Sequence, residues 1–113
     1  MIVSKAIPAN EFEKLINTWE YILIDIRTPQ ELEHFWTIKW VDYTLDFYNE
    51  NDMKKLLQMD KNKKYLIYCY HWNRTRVLRN FMIENWFKHV IDLEWGTDAW
   101  LQNGKELVDF NQK

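Results

Sequence analysis

Residues 65–75 read Tyr65-Leu66-Ile67-Tyr68-Cys69-Tyr70-His71-Trp72-Asn73-Arg74-Thr75. The first five carry no charge and follow a lysine-rich stretch, Asp60 to Lys64, which is the pattern of a strand buried on both faces after a solvated turn. A helical period sets in at Thr75 and runs to Asn85, with Val77, Leu78, Phe81 and Met82 on one apolar face. The chain therefore turns tightly between Cys69 and Arg74, at the carboxyl end of a buried strand, where open α/β sheets bind their ligands. Backbone N–H groups in such a turn, joined to the unpaired N–H groups and positive dipole end of the next helix, make a cradle for an anion. The same field favours a cysteine thiolate, the nucleophilic form. Arg74, and more loosely Arg76 and Arg79, add positive charge there, although Arg76 and Arg79 also read as the solvated face of the helix. His71 stands in the polar turn, placed either to touch a substrate or simply to face solvent.

Outward from this stretch the pattern repeats. Asn10 with Glu13 predicts a capped helix through Ile16, packing Phe12, Leu15 and Ile16 inward. Tyr21 to Ile26 is an apolar run interrupted only by Asp25 and predicts a second buried strand. Thr28-Pro29-Gln30-Glu31 then places a threonine at N-cap, a proline at N1 and a glutamate at N3, a strong helix start. Val41 to Leu45 predicts a short strand, Glu50 to Met59 a helix, and Val90 to Leu93 another buried strand. Thr97 caps a last helix that runs through Gln102 and stops at Asn103-Gly104. Alternating strands and helices predict an α/β fold, an open and mostly parallel sheet with helices on both faces.

A chain of 113 residues, 47% hydrophobic and 28% charged, predicts one domain spanning residues 1–113. No apolar run reaches the length of a membrane span, and residues 1–10 carry no export signal, so a cytoplasmic location is expected. A net charge of -2 gives no reason to expect nucleic acid or an anionic membrane as partner. The single cysteine cannot form an internal disulfide. It is either a small buried hydrophobe or a reactive thiol, and composition leaves both open. Without a second cysteine, a self-resolving thiol redox enzyme is disfavoured.

Three stretches resemble those of single-domain rhodanese-like sulfurtransferases: Leu23 to Glu31, Leu66 to Thr75, and Val90 to Trp100. They occur in family order and at family spacing, and the resemblance extends from about Ile7 to Val108. It implies a rhodanese-like fold, with Cys69 as the catalytic nucleophile that carries a sulfane sulfur as a persulfide. The loop residues Tyr70, His71, Trp72, Asn73, Arg74 and Thr75 would hold the persulfide and a substrate oxyanion, with Arg74 closing the loop. Asp25 and Arg27 match a pair read as structural. The implied partners are a small sulfur donor, such as thiosulfate or a persulfide, and a thiol acceptor; no cofactor and no metal are implied. The related dual-specificity phosphatases and arsenate reductases have one more residue between cysteine and arginine than the four found here. A catalytically silent rhodanese-like binding or regulatory module is the alternative to an enzyme.

Six tryptophans, Trp19, Trp36, Trp40, Trp72, Trp86 and Trp95, stand where rhodanese-like sequences usually carry glycine, and only Trp100 matches a family tryptophan. Trp86 follows a helix predicted to end at Asn85, at the position where a left-handed residue, usually glycine, is favoured. Trp19 and Trp40 also fall in predicted turns. Ordinary usage of about 7% glycine predicts roughly eight in a chain of this length. Exchanging the six moves glycine from 2 to 8 and tryptophan from 7 to 1. The composition thus suggests a gene in which UGA means glycine, translated as though it meant tryptophan; the plain alternative is that all seven are genuine aromatics.

Overall fold

The structure, a computed structural model, describes residues 1–34 and 36–109. Position 35 and positions 110–113 of the expected domain lie outside the described residues. Among the described residues the strands are β1 (Val3–Ile7), β2 (Tyr21–Asp25), β3 (Tyr43–Thr44), β4 (Lys64–Tyr68) and β5 (His89–Leu93). The helices are α1 (Ala9–Ile16), α2 (Pro29–His34), α3 (Glu50–Leu57), α4 (Asn73–Glu84) and α5 (Gly96–Gln102). All four strand pairings are parallel, in the order β1-β5-β4-β2-β3. The expected open α/β sheet is therefore present, with β4 in the middle and Cys69 at its carboxyl edge.

Period-two alternation along the strands separates two cores. Leu23, Leu66, Tyr68, Ile91 and Leu93 pack on one face against Phe12 and Ile16 of α1 and Trp100 of α5. Ile24, Tyr65, Ile67, Cys69 and Val90 pack on the other against Leu56 of α3 and Leu78 and Met82 of α4. Helices thus cover both faces, as the unbroken apolar runs required. No helix among the described residues is long and apolar enough to cross a membrane.

Several local expectations change. β1 was not predicted: Val3–Ile7 pairs only with β5, and as an edge strand it leaves Lys5 and Ala6 exposed, so it lacks a continuous apolar run. Pro8, not Asn10, precedes α1, and no side chain caps that helix. On α4 the buried residues are Thr75, Leu78 and Met82, while Val77 and Phe81 are exposed. Arg79 does not belong to a solvated face. Its Nε donates to the Asp92 carboxylate at 2.7 Å and Nη1 to Ser4 at 2.9 Å, in the direction of β1 and β5. The Thr28–Glu31 capping box is observed in both directions: Thr28 N–H donates to Glu31 Oε1 at 2.9 Å, and Glu31 N–H donates to Thr28 Oγ1 at 3.3 Å.

At the carboxyl edge of β2, Asp25 and Arg27 form a fully buried ion pair of 2.8 Å. Burial is the largest influence on Arg27 and opposes its charge, but the hydrogen bonds to Asp25 together with the attraction of Asp25 and neighbouring acidic groups hold the guanidinium's pKa above its ordinary value. The Asp25 carboxylate also accepts from the Arg27 backbone N–H at 2.9 Å, and Arg27 Nη2 reaches the Trp36 carbonyl at 2.9 Å. The pair therefore pins the chain leaving β2 to the segment that approaches β3, which agrees with its structural reading. Arg27→Met leaves a buried carboxylate unpaired and is expected to cost about 3–5 kcal/mol in urea unfolding. The double substitution Asp25→Leu/Arg27→Met should cost clearly less than Arg27→Met alone; equal losses would show that the pairing of charge is not what matters.

Candidate functional site

The register of β4 sends Cys69 toward α4, where its side chain is 1% exposed. The next carbonyls are held from one side. Thr97 N–H donates to the Cys69 carbonyl at 3.0 Å, and Asp98 N–H to the Tyr70 carbonyl at 3.2 Å. A Cβ on Gly96 would stand 2.4 to 2.5 Å from the carbonyl oxygens of Cys69, Tyr70 and His71. All three oxygens therefore face the β5–α5 turn. In a planar trans peptide the N–H points opposite to the C=O, so the N–H groups of Tyr70, His71 and Trp72 are directed away from that turn.

No described residue accepts a hydrogen bond from the backbone N–H groups of His71, Trp72, Asn73, Arg74 or Thr75. The last three belong to the first turn of α4, whose N–H groups have no intrahelical partner and carry the positive end of the helix dipole. Thr75 is buried, its hydroxyl donates to the Trp72 carbonyl at 3.2 Å, and the Cys69 sulfur lies 3.8 Å from that hydroxyl. The chain from 71 to 75 thus presents unpaired backbone donors directly after Cys69, an arrangement suited to an anion.

The charged side chains behave differently from the expectation. Arg74 makes a bidentate pair with Glu31, 2.6 and 2.8 Å, so its guanidinium braces the loop against α2. Those hydrogen bonds outweigh partial burial and draw the Glu31 carboxyl from 4.5 down to about 2. Arg76 lies over the Trp72 ring at 4.6 Å, whereas Arg79 is turned away to Asp92 and adds no charge at the loop. His71 is exposed and stacks on Tyr70 with ring centroids 4.5 Å apart. Trp72 meets Trp95 edge to face at 5.6 Å. Among the described residues no group of three His, Cys, Asp or Glu side chains is placed to hold a metal ion.

The helical period in the sequence starts at Thr75, whereas α4 begins at Asn73, so Asn73, Arg74 and Thr75 form its first turn; the two outside supports of the segment are not apparent from the sequence. Glu31 was read only as a helix cap, and nothing local to it points to an arginine 43 residues away. Thr97 was read as the cap of α5, but its N–H and hydroxyl serve the loop carbonyls, and no side chain caps that helix.

A family model described as a rhodanese-like domain matches residues 8–103. No protein of curated function matches the chain. Among solved structures, a rhodanese-related protein from Thermoplasma volcanium superposes with a TM-score of 0.76 at 24% identity, covering 93% of this chain and 98% of that one. A rhodanese-like domain protein from Staphylococcus aureus gives 0.73 at 23% identity, covering 92% and 98%. A polysulfide-sulfur transferase homodimer from Wolinella succinogenes gives 0.73 at 23% identity, covering 98% and 81%. At such identities the likeness is one of fold.

Because the folded Glu31 carboxyl titrates near 2 against 4.5 ordinarily, its contribution to stability is present above about 4.5 and lost as the pH falls toward 2. Glu31→Gln should therefore be less stable than the parent at pH 7, with the difference closing between about pH 4.5 and 2 in parallel denaturation curves. A gap that stays constant over that range would separate Glu31 from the ion pair. Gly96→Ala drives a Cβ into three backbone oxygens at a left-handed position and should cost about 2–4 kcal/mol in the same measurement.

Proposed function

The chain belongs to the rhodanese-like domain family, and from that membership we propose that its 113 residues form one sulfurtransferase domain working through Cys69. The observation that carries the reading is the set of unpaired N–H groups from His71 to Thr75 in the segment that follows Cys69, with the Thr75 hydroxyl 3.8 Å from the cysteine sulfur. These donors suit the negative charge of a bound persulfide or of a thiosulfate oxygen, and they are fixed before the substrate arrives.

The Cys69 thiolate attacks the outer, sulfane sulfur of thiosulfate. A new S–S bond forms on Cys69, the old S–S bond breaks, and its electron pair leaves with sulfite. The acceptor thiolate then attacks the terminal sulfur of the persulfide, takes it, and returns Cys69 as a thiolate. Electrons and charge balance in both steps without metal or cofactor. Tyr70 to Thr75 supply the loop, with Arg74 acting through Glu31 as its brace and Thr75 beside the sulfur. His71, exposed at the rim, is placed to meet the donor or acceptor as it arrives. The four-residue spacing between Cys69 and Arg74 favours the smaller sulfur group over a phosphoryl group.

The near-complete burial of Cys69 favours a second reading, a rhodanese-like module that binds a partner without turning over sulfur. Intact mass after incubation with thiosulfate, and separately with a polysulfide, distinguishes the two. The expected result is a gain of one sulfur atom, absent in Cys69→Ala and released on addition of a thiol. The measurement is made on this chain and on a version with glycine at positions 19, 36, 40, 72, 86 and 95. If both remain folded and neither gains sulfur from either donor, the module reading replaces the enzyme.

A further inference from the structure

Four residues other than glycine have positive φ among the described residues: Trp19 at 61°, Trp40 at 76°, Trp86 at 76° and Trp95 at 61°. Tryptophan makes up 7 of 113 residues, yet it holds every one of these positions. In the left-handed region a Cβ crowds the backbone carbonyl, and for a bulky side chain such a φ is an outlier.

The two ends of α4 and α5 provide an internal comparison. At the end of α5, Gly104 N–H donates to the Leu101 carbonyl at 3.0 Å and Lys105 N–H to the Trp100 carbonyl at 3.1 Å, around Gly104 at φ 76°. At the end of α4, Trp86 N–H donates to Ile83 and Phe87 N–H to Met82, both at 3.1 Å, around Trp86 at φ 76°. Both are the Schellman ending, whose left-handed position is usually glycine. One helix has glycine there and the other an indole that is 80% exposed. Trp40 is likewise the third residue of a turn closed by Val41 N–H to the Ile38 carbonyl at 3.3 Å; with positive φ at that residue, it is the turn type that calls for glycine. Trp95 directly precedes Gly96, itself at φ 57°.

Burial does not offset the strain. Trp19, Trp40 and Trp95 are about half exposed or more, at 69%, 48% and 52%. Trp100, the tryptophan that matches the family, is 4% exposed, lies inside α5, donates its indole N–H to the Glu106 carbonyl at 2.9 Å, and meets Phe12 edge to face. The buried, hydrogen-bonded Trp100 thus contrasts with the four tryptophans whose half-exposed or exposed side chains stand on left-handed backbone.

We infer that the native polypeptide carries glycine at positions 19, 40, 86 and 95, decoded from a codon rendered here as tryptophan. UGA fits, because one base separates it from UGG for tryptophan and one from GGA for glycine. The backbone assigns these four. Trp72, with an extended φ of -158°, and Trp36 are not assigned by the backbone and join the four only as positions where the family usually carries glycine. On the sulfur-transfer reading, two of the six matter at the loop, since the Trp72 indole, three residues after Cys69, meets that of Trp95, and glycine at both removes that pair of rings from the loop.

Peptide mass mapping of the protein purified from its own cells tests the inference without reference to activity. Glycine at 19, 40, 86 and 95, with tryptophan at 100, is expected; tryptophan at any of the four overturns it. The recombinant chain gives an independent reading. Trp86→Gly should raise the thermal midpoint by about 3 °C or more, Trp86→Ala should gain less, and Trp100→Gly should lower it. A midpoint unchanged or lowered by Trp86→Gly overturns the strain argument on which the assignment stands. Failure of sulfur uptake with glycine found at the four positions would count against the sulfurtransferase reading alone.

Discussion

The carbonyl oxygens of Cys69, Tyr70 and His71 converge on the start of α5, and the contact is close enough that only a residue without Cβ fits at position 96. Peptide planarity transmits that contact through the loop: oxygens held on one side leave N–H groups on the other. The direction of the loop's N–H groups is thus a consequence of backbone packing between the ends of two neighbouring parallel strands, β4 and β5. Side-chain chemistry is added to a geometry that the backbone has already imposed.

This explains why the charges near the loop are mostly spoken for. Arg74 is neutralised by Glu31, Arg79 by Asp92, and Arg27 by Asp25. Asp92 illustrates the balance: burial lifts its carboxyl above the ordinary range, and the Arg79 hydrogen bond only partly restores it. Each pair fastens a loop or helix to the sheet's surroundings. With those charges paired, the positive field at the loop comes from the backbone dipoles at the N-terminus of α4.

The same dependence on backbone geometry makes the tryptophan positions informative. A helix ending, a tight turn and a strand-to-helix junction each require a left-handed residue for reasons of hydrogen bonding, regardless of which side chain is present. An indole at such a position adds strain and, when exposed, buries little in return. Trp95 directly precedes Gly96, the residue against which the carbonyls of Cys69, Tyr70 and His71 pack.

Local patterns were enough to identify the buried strands β2, β4 and β5, because strands covered on both faces read as unbroken apolar runs. The Thr28–Glu31 capping box and the tight turn from Cys69 into α4 were legible for the same reason: their interactions span only a few residues. The left-handed positions of Trp19, Trp40 and Trp86 were legible too, from helix ends and turns. Tertiary structure alone decided that β1 closes the edge beside β5, that α4 turns Arg79 rather than Val77 and Phe81 toward the sheet, and that Glu31 reaches Arg74. It also decided that Thr97 holds the loop instead of capping a helix. These features depend on how far apart finished elements come to lie, a distance that no residue's own neighbours encode.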